Sequence, residues 1–240
     1  MAIPAIFNWS TGKDSALALH TVLRDGAYDV RWLLTTVNEH YDRVSMHGVR
    51  TTLLRAQAAA IGIPLIEVRL PETPTMEHYD RIMMETLSAL RAEGAEASIF
   101  GDIFLEDLRA YRESRLAEAG LRGHFPLWKR PTDALVYEVI ELGFTATTTC
   151  VNAAVLDHRF VGRVLDDAFV RELPAGVDPC GENGEFHTFV SAGPLFTQPV
   201  PVRLGDVIRR PSGSGTGANP GTDNAGFWYC DLLSADDATD

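Results

Sequence analysis

Residues 3–23 read IPAIFNWSTGKDSALALHTVL. An apolar run, Ile3 to Phe7, meets a polar turn from Asn8 to Lys13 and then a helical apolar stripe at Ala16, Leu19, His20 and Leu23. This is the pattern of a strand, a tight turn and a helix. Such a turn leaves the first-turn N–H groups of the helix unpaired and points the positive end of its dipole beyond the strand's C-terminal edge, a place suited to an anion.

The composition of the turn lets it wrap phosphate oxygens from several sides, although an ordinary capped helix would look similar. Ser10, Thr11 and Ser15 offer hydroxyls, Gly12 permits close backbone approach, and Lys13 adds a point charge. Asp14 has two readings, a helix N-cap or a group holding the Mg²⁺ that accompanies a nucleotide. Neither G-x-x-x-x-G-K-[ST] nor G-x-G-x-x-G is present. Ser10 to Ser15, STGKDS, instead resembles the S-G-G-x-D-S signature of the PP-loop ATP pyrophosphatases, which cut ATP to AMP and pyrophosphate. Thr11 stands where that signature has its first glycine, so a position free to take positive φ carries a Cβ here.

The remaining composition bounds the class. A chain of 240 residues with 45% hydrophobic content can build one large or two modest domains. A net charge of −12 without a Lys/Arg run argues against nucleic acid and anionic membrane as partners. No basic leader and no apolar window of spanning length is apparent, so a soluble, cytoplasmic protein is expected. Cys150, Cys180 and Cys230 are too widely spaced for a Cys-rich zinc site and suit a reducing compartment.

Strand-like and helix-like segments alternate through residue 142, which predicts a Rossmann-like parallel sheet flanked by helices, an α/β fold. Strands are expected at Val30–Val37, Leu65–Leu70, Ala97–Phe100 and His124–Leu127, and helices at Val49–Ile61, Met76–Glu93, Leu105–Ala119 and Pro131–Leu142. With the first strand central, its neighbours are those near 30–37 and 97–101, and ligands lie beyond their carboxyl ends. That places Thr36, Gly101 and Asp102 at the site edge: Gly101 for close ligand approach, Asp102 as a carboxylate beside a metal-bound pyrophosphate. A plain Gly-Asp turn capping the next helix is the competing reading. His47, in Met46-His47-Gly48-Val49-Arg50, either contacts nucleotide or caps a helix.

From Gly143 the pattern changes to a smaller α+β domain, 143–233, with strands at Phe144–Val151, Phe186–Ser191, Val200–Val207 and Phe227–Leu232 and a helix at Phe160–Glu172. Residues 210–226 read as a mobile loop and 234–240 as an acidic tail without a role. Within this half, Asp178 to Thr188, DPCGENGEFHT, brings Glu182, Glu185 and His187 onto one bent loop. Carboxylates held together raise one another's pKa, as a general base or an amine pocket requires, although a solvated acidic loop would look the same.

Taken together, WSTGKDSALAL, MHGVR, FGDIFLEDLR with YRE after it, PLW and CGENGEFHT resemble the diphthine–ammonia ligase family of PP-loop ATPases, particularly its prokaryotic branch, from Phe7 to about Phe196. The resemblance implies a HUP-type N-terminal domain for ATP and a smaller C-terminal domain whose G-E-x-G-E motif helps close the site. The implied chemistry is adenylation of a carboxylate, loss of pyrophosphate and capture of the acyl-adenylate by ammonia. Ser10, Thr11, Gly12, Lys13 and Ser15 would hold phosphates, and Asp14 and Asp102 would hold Mg²⁺ or its waters. Glu182, Glu185 and His187 would orient the acceptor or take a proton from ammonium. Arg109 and Arg112 would pair with an acceptor carboxylate or simply be solvated.

The implied partners are ammonia and a small-molecule or protein-borne carboxylate acceptor, with a homodimer as the assembly entertained. The departures are Thr11 and His187, the latter standing where eukaryote-like members tend to be acidic. Three other readings stay open. A sulfur-transfer enzyme would use Cys180, a nucleotide hydrolase would need no acceptor, and an ATP-sensing module would bind without turnover.

Overall fold

The computed structural model describes residues 1–45, 48–211 and 226–235. In chain order the elements are β1 (Ile3–Asn8), α1 (Lys13–Asp25), β2 (Tyr28–Asn38), β3 (Arg43–Val44), α2 (Thr51–Ile61), β4 (Leu65–Leu70), α3 (Met76–Ala92), β5 (Ala97–Ile99), α4 (Glu106–Glu118), β6 (Arg122–His124), α5 (Thr132–Glu141), β7 (Thr145–Asn152), a 3₁₀ turn (His158–Phe160), α6 (Asp167–Glu172), β8 (Phe186–Ala192), β9 (Val202–Arg210) and β10 (Phe227–Ser234). The chain divides into two units. One comprises Met1–Ser10, Asp14–Asp42 and Gly62–Arg130; the other comprises Thr11–Lys13, Arg43–Ile61 and Pro131–Asp240.

The first unit is built on a parallel sheet in the order β4-β2-β1-β5-β6. β1 is central, as its uninterrupted apolar run requires, with Ile6 opposite Trp32 on β2 and Phe7 opposite Ile99 on β5. The chain steps outward through β2 and β4 and then returns to the other side of β1, so the order reverses at β1 and β5, where open parallel sheets bind ligands. Ile6, Leu34, Val68, Leu87, Leu90, Phe100, Leu116 and Phe125 close the core. Helix α1 is buried more broadly than its expected stripe: Leu17 and Ala18 are inside with Ala16 and Leu19, whereas Leu23 is exposed.

Three expectations shift along the chain. The strand expected at Val200–Val207 is Val202–Arg210, so Arg210 belongs to it rather than to the expected loop. The fifth strand is Arg122–His124, not His124–Leu127. The last ladder bond runs from Phe100 N–H to the His124 carbonyl, after which Phe125 turns to stack on Phe100 at 5.3 Å and Pro126 has no N–H to continue the ladder. The helix expected over Phe160–Glu172 is reduced to Asp167–Glu172. Gly162 is left-handed (φ 77°), Val164 bridges to Thr147, and Asp166 caps the helix by accepting from Phe169 N–H.

In the second unit an antiparallel sheet runs β8-β7-β10-β9. Edge-to-face aromatic contacts, Phe160 on Phe169 at 5.5 Å and Phe169 on Phe186 at 5.4 Å, join the 3₁₀ turn, α6 and the start of β8. Asp231 on β10 receives Arg43 at 2.9 Å and Arg50 at 2.6 Å, fastening β3 and the start of α2 to the sheet. Among the described residues, no helix is long and apolar enough to cross a membrane. His47 lies outside the described residues, as do 212–225 of the expected loop and 236–240 of the expected tail.

Candidate active site

The turn between β1 and α1 is drawn tight by its own side chains. Ser10 Oγ lies 3.0 Å from Ser15 Oγ, and Asp14 stands in the first turn of α1. Thr11, at the signature's first glycine, is left-handed with φ 75°. It is wholly buried, and its Oγ1 has no hydrogen-bond partner among the described residues. A β-branched residue in this region is a strained outlier, a state that persists only where the surroundings enforce it.

At the neighbouring strand end, Gly101 has a different use from the one expected. A Cβ there would lie 3.0 Å from the Asp14 carbonyl and from Ser15 N, so the space a side chain would fill is occupied by the first turn of α1 rather than left to a ligand. The contact brings Asp102 to Asp14. The Asp102 carboxyl is pushed above the ordinary carboxylate range chiefly by burial; Arg112 opposes the shift and Asp14 adds to it. Two carboxylates that repel each other in a partly dry place, with hydroxyls nearby, fit a hard divalent cation that keeps water and phosphate ligands. Among the described residues no group of three or more His, Cys, Asp or Glu could enclose a metal by itself. Thr36 is half-buried on β2, and its neighbour Thr35 is spent on the Trp9 carbonyl at 2.7 Å.

Arg109 and Arg112 are not a solvated pair. Arg112 lies 3.1 Å from Asp102 in an ion pair too bent to be a hydrogen bond, and stacks 4.3 Å over Phe100. Arg109 stacks over Phe125 and Trp128 and pairs with Glu113 at 2.8 Å. Both charges are therefore engaged within the protein, and Arg112 steadies the Asp102 carboxylate.

In the second unit, the 178–188 loop is folded around two carboxylates. Asp178 Oδ1 accepts from Cys180 N–H at 2.8 Å and Oδ2 accepts from Thr132 Oγ1 at 2.7 Å. Glu185 is buried and accepts from Asp178 N–H at 3.0 Å, Asn183 N–H at 2.8 Å and Asn183 Nδ2 at 3.1 Å. It organises the loop from within. Gly181 is left-handed (φ 74°), and a Cβ there would sit 2.7 Å from the Phe186 carbonyl.

Lys13 belongs to the same unit and is almost fully buried. Its Nζ donates to the Cys180 carbonyl and lies 5.4 Å from the centre of the Phe186 ring, and its N–H donates to Thr188 Oγ1 at 3.0 Å. Burial, and secondarily the Lys13 ammonium, push the His187 imidazole down to about 4, so it is neutral at pH 7. Glu182 is half-buried on the loop. Cys180 is buried with its Sγ 3.2 Å from the Thr132 carbonyl, a packed thiol rather than a presented nucleophile, and none of the three cysteines is in a disulfide.

Two residues escaped sequence reasoning. Asp178 stands before Pro179 in a turn, the usual place for a side chain that caps its own loop, which was the available signal. Gln57 lies on the buried face of α2 beside Leu53, Leu54, Ala58 and Ala60, and a polar residue on an apolar helix face was its signal.

A parallel sheet whose order reverses at its central strand, together with an antiparallel unit, makes this a Rossmann-like α/β protein. More specifically, residues 4–123 match the diphthamide synthase N-terminal domain and 131–210 the diphthamide synthase C-terminal domain, and the chain belongs to this family of PP-loop proteins. It is 26% identical over 181 residues to the diphthine–ammonia ligase of Homo sapiens, covering 70% of this chain and 67% of that one. It is 27% identical to the Bos taurus counterpart over the same shares. The U34-tRNA thiolase NcsA of Methanococcus maripaludis shares 20% identity over 59% of this chain and 57% of its own, with a TM-score of 0.36, a likeness too slight to carry an argument. Family membership makes the chain an enzyme of the ATP-dependent ligase kind.

Proposed function

We propose that the protein joins ammonia to a carboxylate through an acyl-adenylate. A carboxylate oxygen of the acceptor attacks the α-phosphorus of ATP and pyrophosphate leaves. Ammonia then attacks the acyl carbon, AMP departs with the bridging oxygen, and the nitrogen sheds a proton to leave an amide. The carrying observation is the Ser10–Ser15 turn opening α1 at the end of the central strand, with Asp102 brought to Asp14 by the Gly101 contact.

The Ser10 and Ser15 hydroxyls and the Gly12 backbone would hold the phosphates, and Lys13 would exchange the Cys180 carbonyl for a phosphate oxygen. Positioning and charge neutralisation supply most of what adenylyl transfer needs, since the acceptor carboxylate is already a nucleophile. Asp14 and Asp102 would hold Mg²⁺, which would neutralise phosphate charge, and Arg112 would keep Asp102 in place. In the 178–188 loop, Glu185 would set the backbone and Glu182 would take the proton released by the amine. His187, neutral at pH 7, would accept a hydrogen bond from ammonia rather than deprotonate ammonium.

Labelled ATP supplied with Mg²⁺, ammonium and a metabolite and protein extract of the source organism tests the reading. AMP and pyrophosphate that require the extract and are lost in Lys13→Ala support it. ADP in their place overturns it, and AMP formed without any acceptor shows a hydrolase instead.

A further inference from the structure

Gln57 is completely buried in α2, and an unsatisfied amide there would be costly. Its two N–H groups face two backbone carbonyls: Nε2 donates to Thr11 O at 3.1 Å and to Val190 O at 2.6 Å. Only the nitrogen end of a glutamine can serve two carbonyls at once. Val190 N–H also donates to Thr11 O at 3.0 Å, and Lys13 N–H donates to Thr188 Oγ1 at 3.0 Å. Every one of these groups lies in the same unit. The Thr11 carbonyl is therefore gripped from α2 and β8 together, at the residue whose φ of 75° would come freely only to glycine.

We infer that Gln57 is a positioning residue for the phosphate turn, holding Thr11 in the left-handed conformation that sets the backbone of Gly12 and Asp14 on either side of the Lys13 N–H, itself held by Thr188. In this chain a glutamine on a neighbouring helix does the conformational work that the family signature gives to a glycine. A rotation of the Thr11 peptide would take its carbonyl away from both donors at once, which is how the amide would enforce the geometry. The ATP-affinity part of the test rests on the proposed function; the conformational part does not.

The experiment compares wild type, Gln57→Met, Thr11→Gly and the double variant by hydrogen exchange of the 11–14 amides and by Mg-ATP titration. Methionine keeps the length of the side chain and removes both donors. Gln57→Met should speed exchange in the turn at least tenfold and weaken ATP binding about tenfold, whereas in the Thr11→Gly background it should change ATP affinity less than threefold. Unchanged exchange in the turn, or an equal ATP loss in both backgrounds, overturns the inference and leaves Gln57 a packing residue. Should Gln57→Met fail to fold alone, folding of the double variant is the expected rescue, and failure of the double variant also overturns it. A wild type that does not bind ATP sinks the proposed function, and the exchange measurement still decides the role of Gln57.

Discussion

Replacing Thr11 by glycine should make the protein more stable, although it removes a fully buried side chain. Holding a non-glycine residue at φ 75° costs about 1–2 kcal/mol. Its buried Oγ1, without a partner among the described residues, costs about 1–3 kcal/mol more. Against this, Thr11→Gly gives up the burial of a methyl group, about 0.8 kcal/mol, and adds about 0.5–1 kcal/mol of backbone entropy to the unfolded chain. A small cavity subtracts further, which leaves a net gain of about 1 kcal/mol. For a chain of this size that is a rise in Tm of about 2–4 °C by calorimetry. Thr11→Ala serves as the control because it removes the hydroxyl and keeps the Cβ. Thr11→Gly should therefore exceed Thr11→Ala by about 1 kcal/mol, the strain less the entropy of glycine. A Thr11→Gly protein that melts at or below both wild type and Thr11→Ala would refute the claim that this turn is held under strain.

His187 supplies a pH dependence whose sign follows from its lowered pKa. The unfolded chain takes up a proton below about 6.5 and the native imidazole does so only near 4, so stability is complete above the first value and lost as pH falls through the window. The slope is at most about 1.4 kcal/mol per pH unit, and melting curves from pH 7 to 4 should fall less steeply for His187→Gln than for wild type. Gly181→Ala, which forces a Cβ to within 2.7 Å of the Phe186 carbonyl at a left-handed position, should cost about 2–4 kcal/mol in urea unfolding. Asp102→Asn should leave the ligand-free Tm within a few degrees of wild type, because it removes an electrostatic conflict with Asp14 along with the Arg112 pair. Titration of the same variant should nonetheless show Mg²⁺-dependent ATP binding weakened by about tenfold or more, roughly 1.4 kcal/mol.

The parallel sheet was legible because its signal is local. β1 and the middle of β2 are apolar runs bounded by turn residues, β4 alternates apolar residues with Glu67 and Arg69 behind Pro64, and the centrality of β1 follows from its burial on both faces. Boundaries failed where a single residue redirects the chain. Pro126 ends the β6 ladder and Gly162 breaks the apolar stripe of residues 160–172, which has helical spacing but lacks a continuous helical backbone. The anomaly at Thr11 was visible as a Cβ in a glycine position, but the groups that hold it, Gln57 and Val190, lie 46 and 179 residues away, and no local pattern connects them. The same holds for Glu185: three acidic or imidazole groups on one loop read as a converging site, whereas Glu185 turns inward to the N–H groups of Asp178 and Asn183. Gly101 was noticed for the right property, its missing Cβ, and what fills the space is the backbone of α1.

The central claim, that a carboxylate is activated by adenylation, is tested most directly by pyrophosphate–ATP exchange. Labelled pyrophosphate is incubated with the enzyme, ATP, Mg²⁺ and the acceptor-containing extract in the absence of ammonium. Label should enter ATP only when the extract is present, should be lost in Lys13→Ala, and should diminish when ammonium is added and draws off the intermediate. Ammonium-dependent turnover of ATP without any exchange, or exchange indifferent to the extract, would contradict the account.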